Sequence, residues 1–294
     1  MHADGCNIMG KVALITGGLG AIGVSYAKHL ISHGIKAVVL ADNDPKANVK
    51  ETIEKIERHG KGDVSFVKAD VSIEGQLRHA FETTAKEFGH LDIFINNAGI
   101  LDESHWKKMI RTNLTASIAA NLMAMRKYLP KYRNDKEATI VNTICMSGLQ
   151  PLQSLAIYSS TKSGLFGLHK ALSHPHWFSI YGCRFLAICP GLTRTPMLKI
   201  MASKGVDLDL FDEECCEFPQ QDVEHCGACL IDAVKNGKNG SIWICEKEMH
   251  KAQSITELRQ VYQNITGNHL GNWLREYVKE LGYWQSPHDW KLEY

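Results

Sequence analysis

The chain has 294 residues, 44% of them hydrophobic and 22% charged, enough to bury the core of one α/β domain or two small ones. A formal net charge of +1 gives no electrostatic footprint for nucleic acid or an anionic membrane surface and argues against both as main partners. No run of about 18 apolar residues occurs, and the first ten residues lack a signal-peptide pattern, so the expectation is no membrane span and a cytoplasmic location where the nine cysteines stay reduced.

Lys11–Thr16 reads as a β-branched strand, followed by Gly17-Gly18-Leu19-Gly20-Ala21-Ile22-Gly23 and a helical pattern that closes at Gly34. Gly18, Gly20 and Gly23 spell G-x-G-x-x-G between strand and helix. In that context bare backbone lets a pyrophosphate approach and the helix N-terminus offers amide donors; otherwise the motif is only a tight turn. A second strand, Lys36–Ala41, ends at Asp42, nineteen residues beyond Gly23. A dinucleotide fold places an acid there to bind the adenosine ribose hydroxyls. Asp42 would repel a 2′-phosphate, and neither Asn43 nor Asp44 is basic, so NAD is expected over NADP.

The alternation continues with a strand at 64–69 before Asp70 and Val71, a helix at 73–88, and a strand at 91–95 before Asn96-Asn97-Ala98-Gly99. Such regular alternation predicts a parallel sheet covered on both faces, a doubly wound α/β fold. Taken alone, Asp70 is a helix cap and Asn96–Gly99 a turn. A long helix is expected from about Ser104 to Leu129, carrying Asn113, which by itself reads as a tolerated mid-helix polar residue. A strand at 138–144 delivers Cys145, and Tyr158 opens a helix that runs to about Leu172.

Tyr158 and Lys162 stand four residues apart and share one helical face, where an ammonium beside a phenol would lower the phenol pKa and make a general base. Another strand at 181–188 leads into Cys189–Pro196, and residues 197–219 look like a lid. Leu149, Leu152, Gln153, Leu155, Met197 and Leu198 flank these loops and are expected to wall an apolar pocket. His225, Cys226 and Cys229 form H-C-x-x-C without a second pair at zinc-finger spacing, so no metal is expected. A last strand at 239–245 completes a domain spanning 8–254. Residues 255–294 form an aromatic extension that could pack on its own core, cover the pocket or meet a partner subunit.

From about residue 8 to 246 these motifs resemble the short-chain dehydrogenase/reductase family: Thr16–Gly23, Asp42, Asp70-Val71, Asn96–Gly99, Asn113, Tyr158-Ser-Ser-Thr-Lys162 and Pro190-Gly191-Leu-Thr193-Arg-Thr195. Ala21 in the turn, Gly99-Ile-Leu-Asp102 and Asn239-Gly-Ser-Ile-Trp243 are similar to the insect-type alcohol dehydrogenase branch, to which the mammalian NAD-dependent 15-hydroxyprostaglandin dehydrogenases are related. The resemblance implies a Rossmann-type sheet of about seven strands and hydride transfer between nicotinamide and a lipophilic secondary alcohol or ketone. It assigns proton transfer to Tyr158, its activation and ribose binding to Lys162, and a relay water to Asn113. Thr193 and Thr195 would hold the carboxamide, Asp70 and Val71 would bracket adenine, and a homodimer or homotetramer would form around the helices of Asn113 and Tyr158.

One position departs from the family. The serine expected thirteen residues before Tyr158 is Cys145, with Gly148 confirming the register. A thiol is a weaker donor, and losing one such donor costs about 10² to 10³ in kcat. Ser147, or Ser154 in the same loop, could present the missing hydroxyl. An alternative reading follows from Cys145: an impaired homologue that binds or stores NAD or an apolar ligand.

Overall fold

The computed structural model describes residues 7–44, 47–199, 201–215, 219–246 and 249–253. The expected extension at 255–294 lies outside the described residues.

Strands β1 (Val12–Thr16), β2 (Ala37–Asp42), β3 (Asp63–Lys68), β4 (Ile93–Asn96), β5 (Ala138–Thr143), β6 (Cys183–Pro190) and β7 (Ser241–Glu246) are parallel neighbours in the order 3-2-1-4-5-6-7. Every residue of β1, β4, β5 and β6 is buried. Burial that runs without alternation follows from cover on both faces. The order reverses between β1 and β4, and the crevice at the carboxyl ends of these strands is where such a sheet holds a ligand.

The helices in chain order are α1 (Ala21–Ser32), α2 (Val49–Glu57), α3 (Glu74–Phe88), α4 (Trp106–Ile110), α5 (Ala116–Met123), α6 (Leu129–Tyr132), α7 (Ala156–Leu172), α8 (Pro175–Tyr181), α9 (Pro196–Lys199), α10 (Leu208–Cys215) and α11 (Val223–Asn236). Tyr26, Leu30 and Ile31 of α1 pack with Cys226, Leu230 and Val234 of α11 on one face of the sheet. Leu77 and Phe81 of α3, Ala120 of α5, Leu129 of α6 and Leu172 of α7 pack on the other. A third apolar cluster, away from both, joins Leu101, Met109, Leu155 and Tyr158 to Met201, Val206, Phe211 and Cys215.

Three elements differ from the sequence reading. The sheet has an eighth strand, β8 (Met249–Gln253), antiparallel to β7, and a five-residue hairpin arm at a sheet edge carries little periodicity to read. The long helix does not stop before Pro130. Two π turns, at Arg111–Thr115 and Ala124–Tyr128, interrupt it, and Pro130 sits in the first turn after the second, where its missing N–H costs least. A short helix that the sequence reading lacks, α8, follows the end of α7 and opens on Pro175 at its first position.

Candidate active site

The glycine turn leaves β1 at Gly17 and enters α1 at Gly20. A Cβ on Gly23 would lie 2.3 Å from the Gly17 carbonyl oxygen, so a side chain there would force the turn apart. No side chain caps α1 and its first turn carries no acid, which leaves the positive end of the helix dipole facing a cleft of about 710 Å³. Asp42 pins the turn. One carboxylate oxygen accepts from the Leu19 amide at 2.9 Å, the other from the amides of Asn43 (2.8 Å) and Asp44 (3.0 Å). The Asn97 side chain donates to the carbonyls of Thr16 and Gly17 at 3.1 Å, tying β4 to β1. Burial pushes the Asp70 carboxyl up, but hydrogen bonds from the Ser72 hydroxyl and amide outweigh it and hold the group below the usual carboxylate range.

Gly17, Leu19, Gly20, Ile22, Asp42, Asn43, Asp70, Val71, Asn97, Ala98, Gly99, Pro190, Gly191, Thr193 and Thr195 all line this end of the cleft. Gly18 and Gly23 do not; they pack behind it, Gly18 against Leu40 and Gly23 against Gly17. Thr193 is built into the wall, its hydroxyl donating to the Gly191 carbonyl at 2.9 Å and accepting from Gln221 Nε2 at 3.1 Å.

Beyond this cradle stand Tyr158 and Lys162, one turn apart on α7 and both buried. Lys162 Nζ lies 5.6 Å from the Tyr158 ring centre and donates to the Thr143 carbonyl at 3.1 Å. The expectation that the ammonium lowers the phenol pKa is not met in this geometry. Burial raises Tyr158 well above its ordinary value, and the neighbouring Cys145 adds to the rise. Burial likewise lowers Lys162, opposed by Cys145 and Cys189. Both groups are thereby driven toward their neutral forms.

The Asn113 side chain makes three hydrogen bonds. Its Oδ1 accepts from the Ile100 amide at 2.8 Å, and its Nδ2 donates to the Ile100 carbonyl at 2.8 Å and to Thr161 Oγ1 at 3.2 Å. Both amide protons therefore fix the loop after β4 against α7, while Oδ1 keeps a second lone pair that could accept from the relay water the resemblance implies. Cys145 is half-buried and lines the cleft, as does Ser147, whose hydroxyl is buried without a hydrogen-bond partner. Gly148 makes this possible, since a Cβ there would lie 2.9 Å from Lys162 Cβ and push the loop off α7.

The far end of the cleft is apolar, walled by Leu101, Leu152, Leu155, Met197, Leu198, Met201 and Phe211. Leu149 and Gln153, expected here, do not line it. Gln153 is exposed, its amide donating to Glu214, and Gln150 reaches the cleft in its place. Ser154 also drops out as a donor to substrate, because its hydroxyl is 2.5 Å from Glu214 Oε2. Sequence reasoning missed Lys108, Asp102, Lys204 and Glu246, which line the cleft. Cys226 and Cys229 pack in the core between α11 and the sheet, where burial and the neighbouring Cys245 thiol push Cys226 far up. No group of three metal-ligating side chains occurs among the described residues, and none of their helices is long and apolar enough to cross a membrane.

The family model for short chain dehydrogenase matches residues 11–204. The chain belongs to the short-chain dehydrogenase family. It is 33% identical over 193 residues to mouse 15-hydroxyprostaglandin dehydrogenase [NAD(+)], covering 66% of this chain and 71% of that one. It is 28% identical over 244 residues to alcohol dehydrogenase 1 of Ceratitis cosyra, covering 81% and 92% respectively. In fold it is similar to levodione reductase, with a TM-score of 0.71, 23% identity, and 81% and 96% of the two chains covered. This short-chain dehydrogenase is thus an oxidoreductase by family, in a group whose members use NAD or NADP.

Proposed function

We propose that the chain is a cytoplasmic, NAD-dependent dehydrogenase of a lipophilic secondary alcohol or the matching ketone. The observation that carries this reading is the junction of Tyr158, Lys162 and the orphaned Ser147 hydroxyl between a glycine-built cradle and an apolar pocket. The cradle fits a dinucleotide: a Cβ at Gly23 would collapse the turn, the N-terminus of α1 faces it, and Asp42 stands where a 2′-phosphate would be repelled. NAD bound there supplies the hydride acceptor.

The chain's own residues do the rest. Ser147, whose unpartnered hydroxyl is buried in the cleft wall, would rotate toward the cleft to donate to the substrate oxygen in place of the serine that Cys145 displaces. Tyr158, held protonated by burial, gives its proton to a carbonyl oxygen in reduction. In oxidation it must first lose that proton, a step that burial opposes; Lys162, its Nζ 5.6 Å from the ring centre, would offset this only in its charged form. Thr195 and Thr193 hold the carboxamide end of the cofactor, and Leu152, Leu155, Met197 and Met201 exclude water around the reacting carbon. An NAD-reduction screen across short alcohols, terpenoid alcohols, hydroxysteroids and hydroxy fatty acids tests the reading; absence of turnover on all of them overturns it.

A second reading, an impaired homologue that binds NAD or an apolar ligand, is favoured by Cys145, a weak donor that lines the cleft where the family keeps a serine. Calorimetry separates the two, because tight NAD binding with no turnover supports the binder.

A further inference from the structure

The start of α7 is held by two carboxylates that arrive from opposite lips of the cleft. Glu103, in the short turn before α4, accepts from the Tyr158 amide on Oε1 at 2.9 Å and from the Ile157 amide on Oε2 at 3.1 Å. Glu214, on α10, accepts from the Gln153 amide at 2.6 Å, the Ser154 amide at 3.0 Å and the Ser154 hydroxyl at 2.5 Å. No side chain from within the segment caps α7 or the turn Gln153–Leu155 before it. These carboxylates therefore supply the acceptors that the first amides of a helix need.

Glu103 is also one residue from Asp102, whose carboxylate bonds Lys204 Nζ at 3.0 Å. Lys204 and Glu214 both belong to the segment that walls the apolar end of the cleft, which also carries Met201 and Phe211. Resting on the dehydrogenase reading above, we propose that Glu103 and Glu214 are positioning residues for Tyr158, and that the Lys204–Asp102 pair makes the placement of Tyr158 depend on the 196–215 segment being seated. The carboxylates touch backbone amides, so they act on where the phenol stands and not on proton transfer itself. A loosely seated segment leaves the first turn of α7 frayed, and Tyr158, its third residue, moves with it.

The test is site-resolved hydrogen exchange on the full chain, read beside steady-state kinetics. Glu103→Ala should speed exchange of the Ile157 and Tyr158 amides about tenfold, and Glu214→Ala that of Gln153 and Ser154 by a similar factor. Glu103→Gln keeps one acceptor oxygen and should restore part of the protection. Lys204→Met, which removes no contact to α7, should still speed exchange at Ile157 and Tyr158. In kinetics, both Ala variants should lower kcat about tenfold while KM for NAD stays put. Unchanged exchange at Ile157 and Tyr158 in Lys204→Met overturns the coupling. A rise in alcohol KM with kcat intact would show a merely structural segment and also overturn it. If wild type turns over no alcohol yet the exchange pattern appears as stated, the function reading fails and the positioning network stands.

Discussion

The two ends of the cleft are built by different means. The cradle is made of backbone: Gly23 leaves no room for a side chain, the Asn97 amide binds two carbonyls, and even Asp42 spends its oxygens on amides. The apolar end is made of side chains on short helices, held to the body by the Lys204–Asp102 pair and the Glu214 clasp. A surface of backbone accepts one shape of ligand, whereas a wall of Leu, Met and Phe repacks around several. The reaction group stands where the two constructions meet.

Substitutions should therefore separate the ends cleanly. The largest effect is expected from Tyr158→Phe, which should cost about 10³ in kcat while the Kd for NAD by calorimetry is unchanged. A parallel loss of NAD affinity would show that the two ends are not independent. Ser147→Ala should follow, at about 10² in kcat, if the unpartnered Ser147 hydroxyl is the donor to the substrate oxygen. Gly23→Ala should do the opposite, weakening NAD about a hundredfold by calorimetry and lowering Tm, since a methyl would meet the Gly17 carbonyl.

The smallest effect, and the most informative, belongs to Cys145→Ser. It should raise kcat up to about tenfold, since a hydroxyl is the better donor. Because Cys145 raises Tyr158, its replacement should also move the pH profile. Oxidation needs the phenolate, so its rate rises with pH through the Tyr158 pKa, and that limb should shift to lower pH in the variant. Reduction needs the phenol, so its loss at high pH should begin earlier. A profile that does not move removes Cys145 from the proton chemistry.

What could be read from the sequence divides along the same line. The strand–helix alternation, the glycine turn and Asp42 were legible because backbone geometry dictates the residue type at fixed spacing. Tyr158 and Lys162 were legible from a local helical interval. The contacts that seat the apolar end were not, because Glu103 meets Tyr158 across 55 residues, Glu214 meets Ser154 across 60, and Lys204 meets Asp102 across 102. Nothing local marks such a pair, and an acid in a surface turn reads as solvated. The direction of the Tyr158 shift was hidden for a related reason: the ammonium is visible in the sequence, while the burial that outweighs it is not.

Asp42 carries a lesson for redesign. The carboxylate that would discriminate between cofactors is also the tie between the loop after β2 and the glycine turn at Leu19. Exchanging it for a small residue to admit a phosphorylated ribose would untie the turn proposed to receive the pyrophosphate. A cofactor swap in this chain therefore begins with a new acceptor for the Leu19 amide, and only then with a cation for the phosphate.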